Sequence, residues 1–139
     1  MIETTNDPQM QNKLLRISYW TGAIVDGFAA LAMIFPALGK KMFGLTDFTP
    51  GPDYTFAMGI GASLMLGWTA LLLWADRDPL ARKGILLLTV FPVIFGIVIA
   101  EIMAVKSGLT EVRWMIPLWV MQAMLSILFI FSYQNAREV

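Results

Sequence analysis

Two carboxylates stand inside otherwise apolar stretches of this 139-residue chain, Asp26 and Glu101. Asp26 lies near the middle of an apolar run over 17–35, where an ionised side chain costs about 2.5–3.5 kcal/mol to insert into a bilayer. No Lys or Arg occurs inside any apolar run to pair with it, so desolvation favours the neutral acid, which can donate a hydrogen bond. Counting at roughly 1.5 Å per residue from the ends of neighbouring apolar runs puts Ser63 and Gln122 at a similar depth. A polar layer of Asp26, Ser63 and Gln122 is therefore expected. It has three readings: a hydrogen-bonded clasp between helices, a site for a ligand, a proton or a cation, or an acid that is left unpaired by accident. Glu101 lies one turn from the end of its run. Its expected partner is Arg113 across a short hairpin, and the alternative is a second site carboxylate working with Asp26. Trp68 and Trp119 sit deeper than the other tryptophans and are expected to wall a pocket.

The residues that are missing narrow the chemistry further. The chain has neither cysteine nor histidine. Disulfides, thiolate or imidazole metal sites, histidine-ligated haem and Ser-His-Asp or Cys-His catalysis are impossible within it. The ten methionines are dispersed through apolar runs and read as packing rather than as metal ligands. No cofactor and no metal are expected, and a zero net charge offers no field for nucleic acid. A non-enzymatic role follows most simply. An intramembrane acid protease would need two facing aspartates, and only Asp26 is available.

The elements that position these residues are transmembrane helices. Hydrophobic residues make up 58% of the chain and charged ones 14%, against about a half and a quarter in soluble domains. A helix needs about 20 apolar residues to cross the hydrocarbon core, and four runs qualify: 17–35, 54–74, 84–105 and 114–133. The fold class is all-α, an integral membrane antiparallel four-helix bundle forming a single domain over residues 1–139. Asp7-Pro8 and Asp78-Pro79 read as helix starts, Ser107-Gly108 as a stop, and Thr110 as the cap of the last helix. Pro92 and Pro117 inside spans predict a kink or a wider turn at each. In the first connection, Leu38, Met42 and Leu45 with Lys40 and Lys41 read either as an amphipathic turn on the outer surface or as a plain loop.

Small residues predict the buried faces, because lipid tails compete with every large apolar side chain. The stripes are Gly22, Asp26 and Ala30 in the first span, and Gly59, Ser63 and Gly67 in the second. The third has Pro92, Gly96, Ala100 and Ala104, and the fourth Trp119, Gln122, Ala123 and Ser126. The same stripes suit a homo-oligomer. Ile17, Ile24, Phe28, Leu31 and Phe35 are expected to face lipid. Tyr19, Trp20, Trp74 and Tyr133 mark one membrane face and Tyr54 and Trp114 the other. Lys13, Arg16, Arg77, Arg82, Lys83 and Arg137 lie on the side of the termini, against Lys40, Lys41, Lys106 and Arg113 opposite, which predicts cytoplasmic termini.

Phe35-Pro36 followed by Phe43-Gly44, the glycine-rich second run and Asp76-Arg77-Asp78-Pro79 before the third resemble small four-span DoxX-like membrane proteins. That resemblance covers nearly the whole chain and implies a plasma-membrane protein of a prokaryote. The stretch Tyr19 to Asp26, YWTGAIVD, is similar to the region before the essential acid of the small multidrug resistance transporters, although here the acid is Asp and falls one position early. That likeness implies exchange of protons for a cationic amphiphile at Asp26. Two functions are therefore carried forward: binding a lipid-like or hydrophobic ligand or supporting a membrane complex, and proton-coupled transport of small amphiphilic or cationic compounds.

Overall fold

The computed structural model describes residues 8–45 and 47–136. Among them there are five helices and no strand: α1 (Pro8–Ile34), α2 (Pro36–Phe43), α3 (Pro52–Ala75), α4 (Gly84–Lys106) and α5 (Val112–Asn135). All except α2 are long and apolar enough to cross a membrane. Their outer surfaces agree with that reading. Ile24, Phe56, Leu64, Met124 and Ile127 are each about two-thirds exposed or more, at 66%, 73%, 70%, 66% and 68%. A water-soluble protein rarely leaves so continuous an apolar skin.

The chain signals that begin and end these helices are mostly the expected ones. Pro8 opens α1, where a missing N–H costs nothing; Asp7 lies outside the described residues, as does Arg137. Pro36 ends α1 by forcing Phe35 into an extended conformation, φ −107° and ψ 95°, and opens α2. The amphipathic alternative for the first connection is thus a short helix. Gly44 stops it at φ 66°, with its N–H bonded to Lys40 O. Gly108, φ 76°, stops α4 with Leu109 N–H on Ala104 O and Gly108 N–H on Val105 O, as Ser107-Gly108 predicts.

Three boundary expectations fail for local reasons. Helix α4 starts at Gly84, not at Pro79. The intervening residues form turns, with Arg82 N–H on Asp78 O, and the Pro79 carbonyl accepts from Tyr19 Oη at 3.0 Å. Thr110 does not cap α5, because its hydroxyl donates to Phe43 O at 2.7 Å and ties the hairpin to α2. Pro117 leaves α5 uninterrupted. Pro92, by contrast, sits in a six-residue π turn, Thr89–Ile94, where Phe91 is non-helical and the Phe91–Pro92 peptide is cis.

Helix α1 packs along α3 and also against α5, and α5 in turn carries α4. The start of α1, the end of α5 and the α3–α4 turn share one end of the bundle, here the tail end. Most of the core gathers towards it: Leu15, Tyr19, Leu72, Ala75, Leu86, Phe129 and Ala136 are all buried. Four interfacial aromatics converge there too. Tyr19 reaches Pro79, Trp20 donates to Asp76, Arg82 stacks on Trp74 at 3.5 Å, and Lys83 lies 5.7 Å from the Tyr133 ring centroid. At the opposite end Tyr54 packs edge-on to Phe48, and the Trp114 indole seals Gly44, where a Cβ would clash.

The small-residue faces divide. On α1 the stripe is buried as expected, and the predicted lipid face, Ile17 to Phe35, is exposed. On α3 it is not. Ser63 is exposed, and a Cβ added to Gly59 or Gly67 would meet nothing within 4 Å. Likewise Gly96 and Ala100 of α4 are exposed. The reason lies in how α1 is filled. Its small positions receive large side chains: Gly22 sits under Leu72 and Phe129, and Gly27 faces Thr69. Small residues on both sides would have left a void. On α4 the π turn at Pro92 reorients the helix, so that Ile94 and Glu101 are its buried positions beyond the break.

Candidate binding groove between α4 and α5

Beyond the Pro92 break, α4 touches α5 little. The gap is a groove of about 310 Å³. Val90, Phe91, Ile94, Phe95 and Val98 form its α4 wall, and Trp119, Gln122, Ala123 and Ser126 its α5 wall. Phe91 and Phe95 are 64% and 51% exposed and Ala123 is also exposed, so the groove opens on the outer, lipid-facing surface of the bundle.

Its polar atoms are on α5 and behind it. Gln122 is buried and donates from Nε2 to Glu101 Oε1 at 2.9 Å. That bond fixes the amide: the carbonyl oxygen of Gln122 is left buried and without a donor among the described residues. Glu101 Oε2 is likewise buried and unpartnered. The Trp119 indole lies beside the Glu101 carboxylate but short of hydrogen-bonding geometry, leaving Nε1 buried and without an acceptor. Unmet buried polar atoms are uncommon in folded proteins, and three on adjacent side chains single out this groove as the candidate site.

The expected polar layer does not form. Ser63 turns outward and donates to Gly59 O of its own helix at 2.9 Å. Asp26 is buried, its Oδ2 has no partner among the described residues, and no hydrogen bond joins it to Gln122. Gln122 thus finds the other acid. Glu101 does not meet Arg113, which pairs at 2.8 Å with Glu111 on the exposed hairpin. The cause is direction: Glu101 is buried against the bundle, whereas Arg113 and Glu111 pair on the exposed side of the hairpin. Trp119 lines the groove as expected, but Trp68 does not. Its Nε1 donates to Thr89 Oγ1 at 3.1 Å, stitching α3 to α4.

The sequence carried a signal for the α5 wall, since Trp119, Gln122, Ala123 and Ser126 share one helical stripe. For Phe91, Phe95 and Val98 it carried only Pro92, which announces a break without saying which residues the break opens. Nor does periodicity single out Thr89, or Ser18 and Ser132, whose hydroxyls meet at 2.7 Å between α1 and α5. No family model matches the chain, and no curated protein or solved structure matches it either.

Proposed function

We propose that the protein is a non-enzymatic membrane protein that holds a lipid-like molecule in the α4–α5 groove. The observation that carries this reading is the pairing of an apolar, outward-opening groove with an unmet donor, Trp119 Nε1, and unmet acceptors on Gln122 and, behind it, Glu101. A hydroxyl matches such a set, because it can donate to the amide oxygen and accept from the indole. An alkyl or isoprenoid chain ending in a hydroxyl therefore fits the walls and the head of the groove. A DoxX-like plan is compatible with such a role. So is a plasma-membrane location in a prokaryote with cytoplasmic termini, for which the bias of basic residues towards the tail end speaks.

The test uses a long-chain alcohol bearing a photoreactive diazirine, incorporated with the protein into nanodiscs, and mass spectrometric mapping of the cross-links. Labels are expected on the α4 segment 91–98 and the α5 segment 119–126. They should be lost in Ala123→Trp, which fills the groove, and should be weak with the matched alkane. Uniform labelling of all exposed helix faces, or labelling that survives Ala123→Trp, would overturn the proposal.

Proton-coupled transport is the second reading, and the observation in its favour is a pair of buried acids, Asp26 and Glu101. Asp26 does not line the groove, so Glu101 would be the acid nearest a substrate. Proton release from the detergent-solubilised protein on adding cationic amphiphiles separates the two readings. The holding role predicts none.

A further inference from the structure

A second cleft, of about 760 Å³, opens at the tail end between the first turns of α1 and the α3–α4 turn. It is wide, and its chemistry differs from that of the groove. Lys13, Arg16 and Arg77 line it against a single acid, Asp76. That acid is already engaged. It accepts from Arg16 Nε at 3.0 Å, from Arg16 Nη2 at 3.2 Å and from Trp20 Nε1 at 3.2 Å. The ammonium of Lys13 and the guanidinium of Arg77 have no ion pair among the described residues. Arg16 also keeps donors to spare, since only its Nε and Nη2 edge is used.

The depth of the cleft specifies the ligand further. Trp20 and Ile17 line it too, and they are 50% and 46% exposed on the lipid side of α1. A tryptophan whose indole N–H is bonded at the polar end while its ring stays exposed marks the boundary between headgroups and hydrocarbon. Among the described residues the cleft thus presents uncompensated positive charge at headgroup depth with an apolar lip beneath it. We propose that it binds the phosphodiester headgroup of an anionic phospholipid, with Lys13 and Arg77 pairing to the phosphate and Trp20 and Ile17 flanking the glycerol and first acyl carbons. Asp76 serves as a fixed strut that holds Arg16 and Trp20 in place. This site is separate from the α4–α5 groove and stands or falls without it.

Native mass spectrometry of the protein released from nanodiscs of equal phosphatidylglycerol and phosphatidylcholine tests the proposal. The wild type is expected to retain the anionic lipid in preference. Basic residues near a membrane surface favour anionic lipid by roughly fivefold each, so the variant Lys13→Gln/Arg77→Gln should lose most of the preference. The variant Lys40→Gln/Lys41→Gln, at the opposite end, should keep it. Lys13, Arg77 and Lys41 are exposed and Lys40 is half-buried, and circular dichroism melting checks that each variant is folded. Equal retention of the two lipids by the wild type, or an undiminished preference in Lys13→Gln/Arg77→Gln, would overturn the assignment. So would displacement of the lipid by millimolar inorganic phosphate, which would assign the site to free phosphate.

Discussion

Among the described residues Glu101 and Gln122 form the buried hydrogen-bonded side-chain pair that joins α4 to α5 beside the groove, and its two members are not equivalent. Gln122→Leu leaves the carboxyl with no donor, and membrane hydrogen bonds are worth about 1 kcal/mol, so a loss of that order is expected in SDS titration of mixed micelles. Glu101→Gln keeps an acceptor for the same amide and should be close to silent. Asp26 behaves differently, because its buried Oδ2 has no hydrogen-bond partner among the described residues. Neither Asp26→Asn nor Asp26→Leu should lower stability in the same titration. A clear loss in Asp26→Leu would reveal a partner for the acid. Gly44 is the most constrained backbone position. Its φ of 66° and the Trp114 indole packed on its Cα leave no room for a methyl group. Gly44→Ala should cost 1 kcal/mol or more by strain at the turn, and thermal unfolding in detergent would measure it.

At the scale of elements, the structure distinguishes glycines that touch something from glycines that do not. A Cβ at Gly22 would lie 3.0 Å from both Leu72 and Phe129, whereas one at Gly59 or Gly67 meets nothing. Gly22→Ala should therefore destabilise the bundle, while Gly59→Ala and Gly67→Ala should not, and may be compared in one SDS-unfolding series. A loss at Gly59 or Gly67 would mean that the outward face of α3 meets a second copy of the chain. The contrast also explains what the sequence made legible. The four spans were, since some twenty apolar residues admit one structure in a bilayer. The buried face of α1 was legible because it combines small residues with a charge, two signals that agree. The α3 and α4 faces were not. Small size alone says that a close approach is possible, but the neighbour decides whether one occurs. In the polar layer, matching depth was not enough, because depth does not fix azimuth. Ser63 is turned away around its helix, and the amide found Glu101 instead of Asp26.

At the scale of the whole molecule, an even number of spans places the tail end and the α2 end on opposite sides of the membrane. Because the chain has no cysteine, single introduced thiols report the topology without background. Ala81→Cys at the tail-end turn and Ser107→Cys at the α4–α5 hairpin are both exposed. With the termini cytoplasmic, as proposed, a membrane-impermeant maleimide should reach only Ser107→Cys in right-side-out vesicles and only Ala81→Cys in inverted ones; the reverse pattern would overturn that orientation. Labelling of both from one side would contradict the four-span arrangement. The position of the groove has a further consequence for how occupancy must be measured. Phe91, Phe95 and Ala123 border it on the surface that lies against acyl chains, not against water. On the proposed lipid-holding role, a ligand would therefore arrive sideways, by diffusion in two dimensions, from a reservoir already dissolved in the bilayer. Occupancy is then set by the mole fraction of that ligand among the lipids. Diluting the membranes in buffer leaves it unchanged, whereas adding inert lipid at constant ligand empties the site.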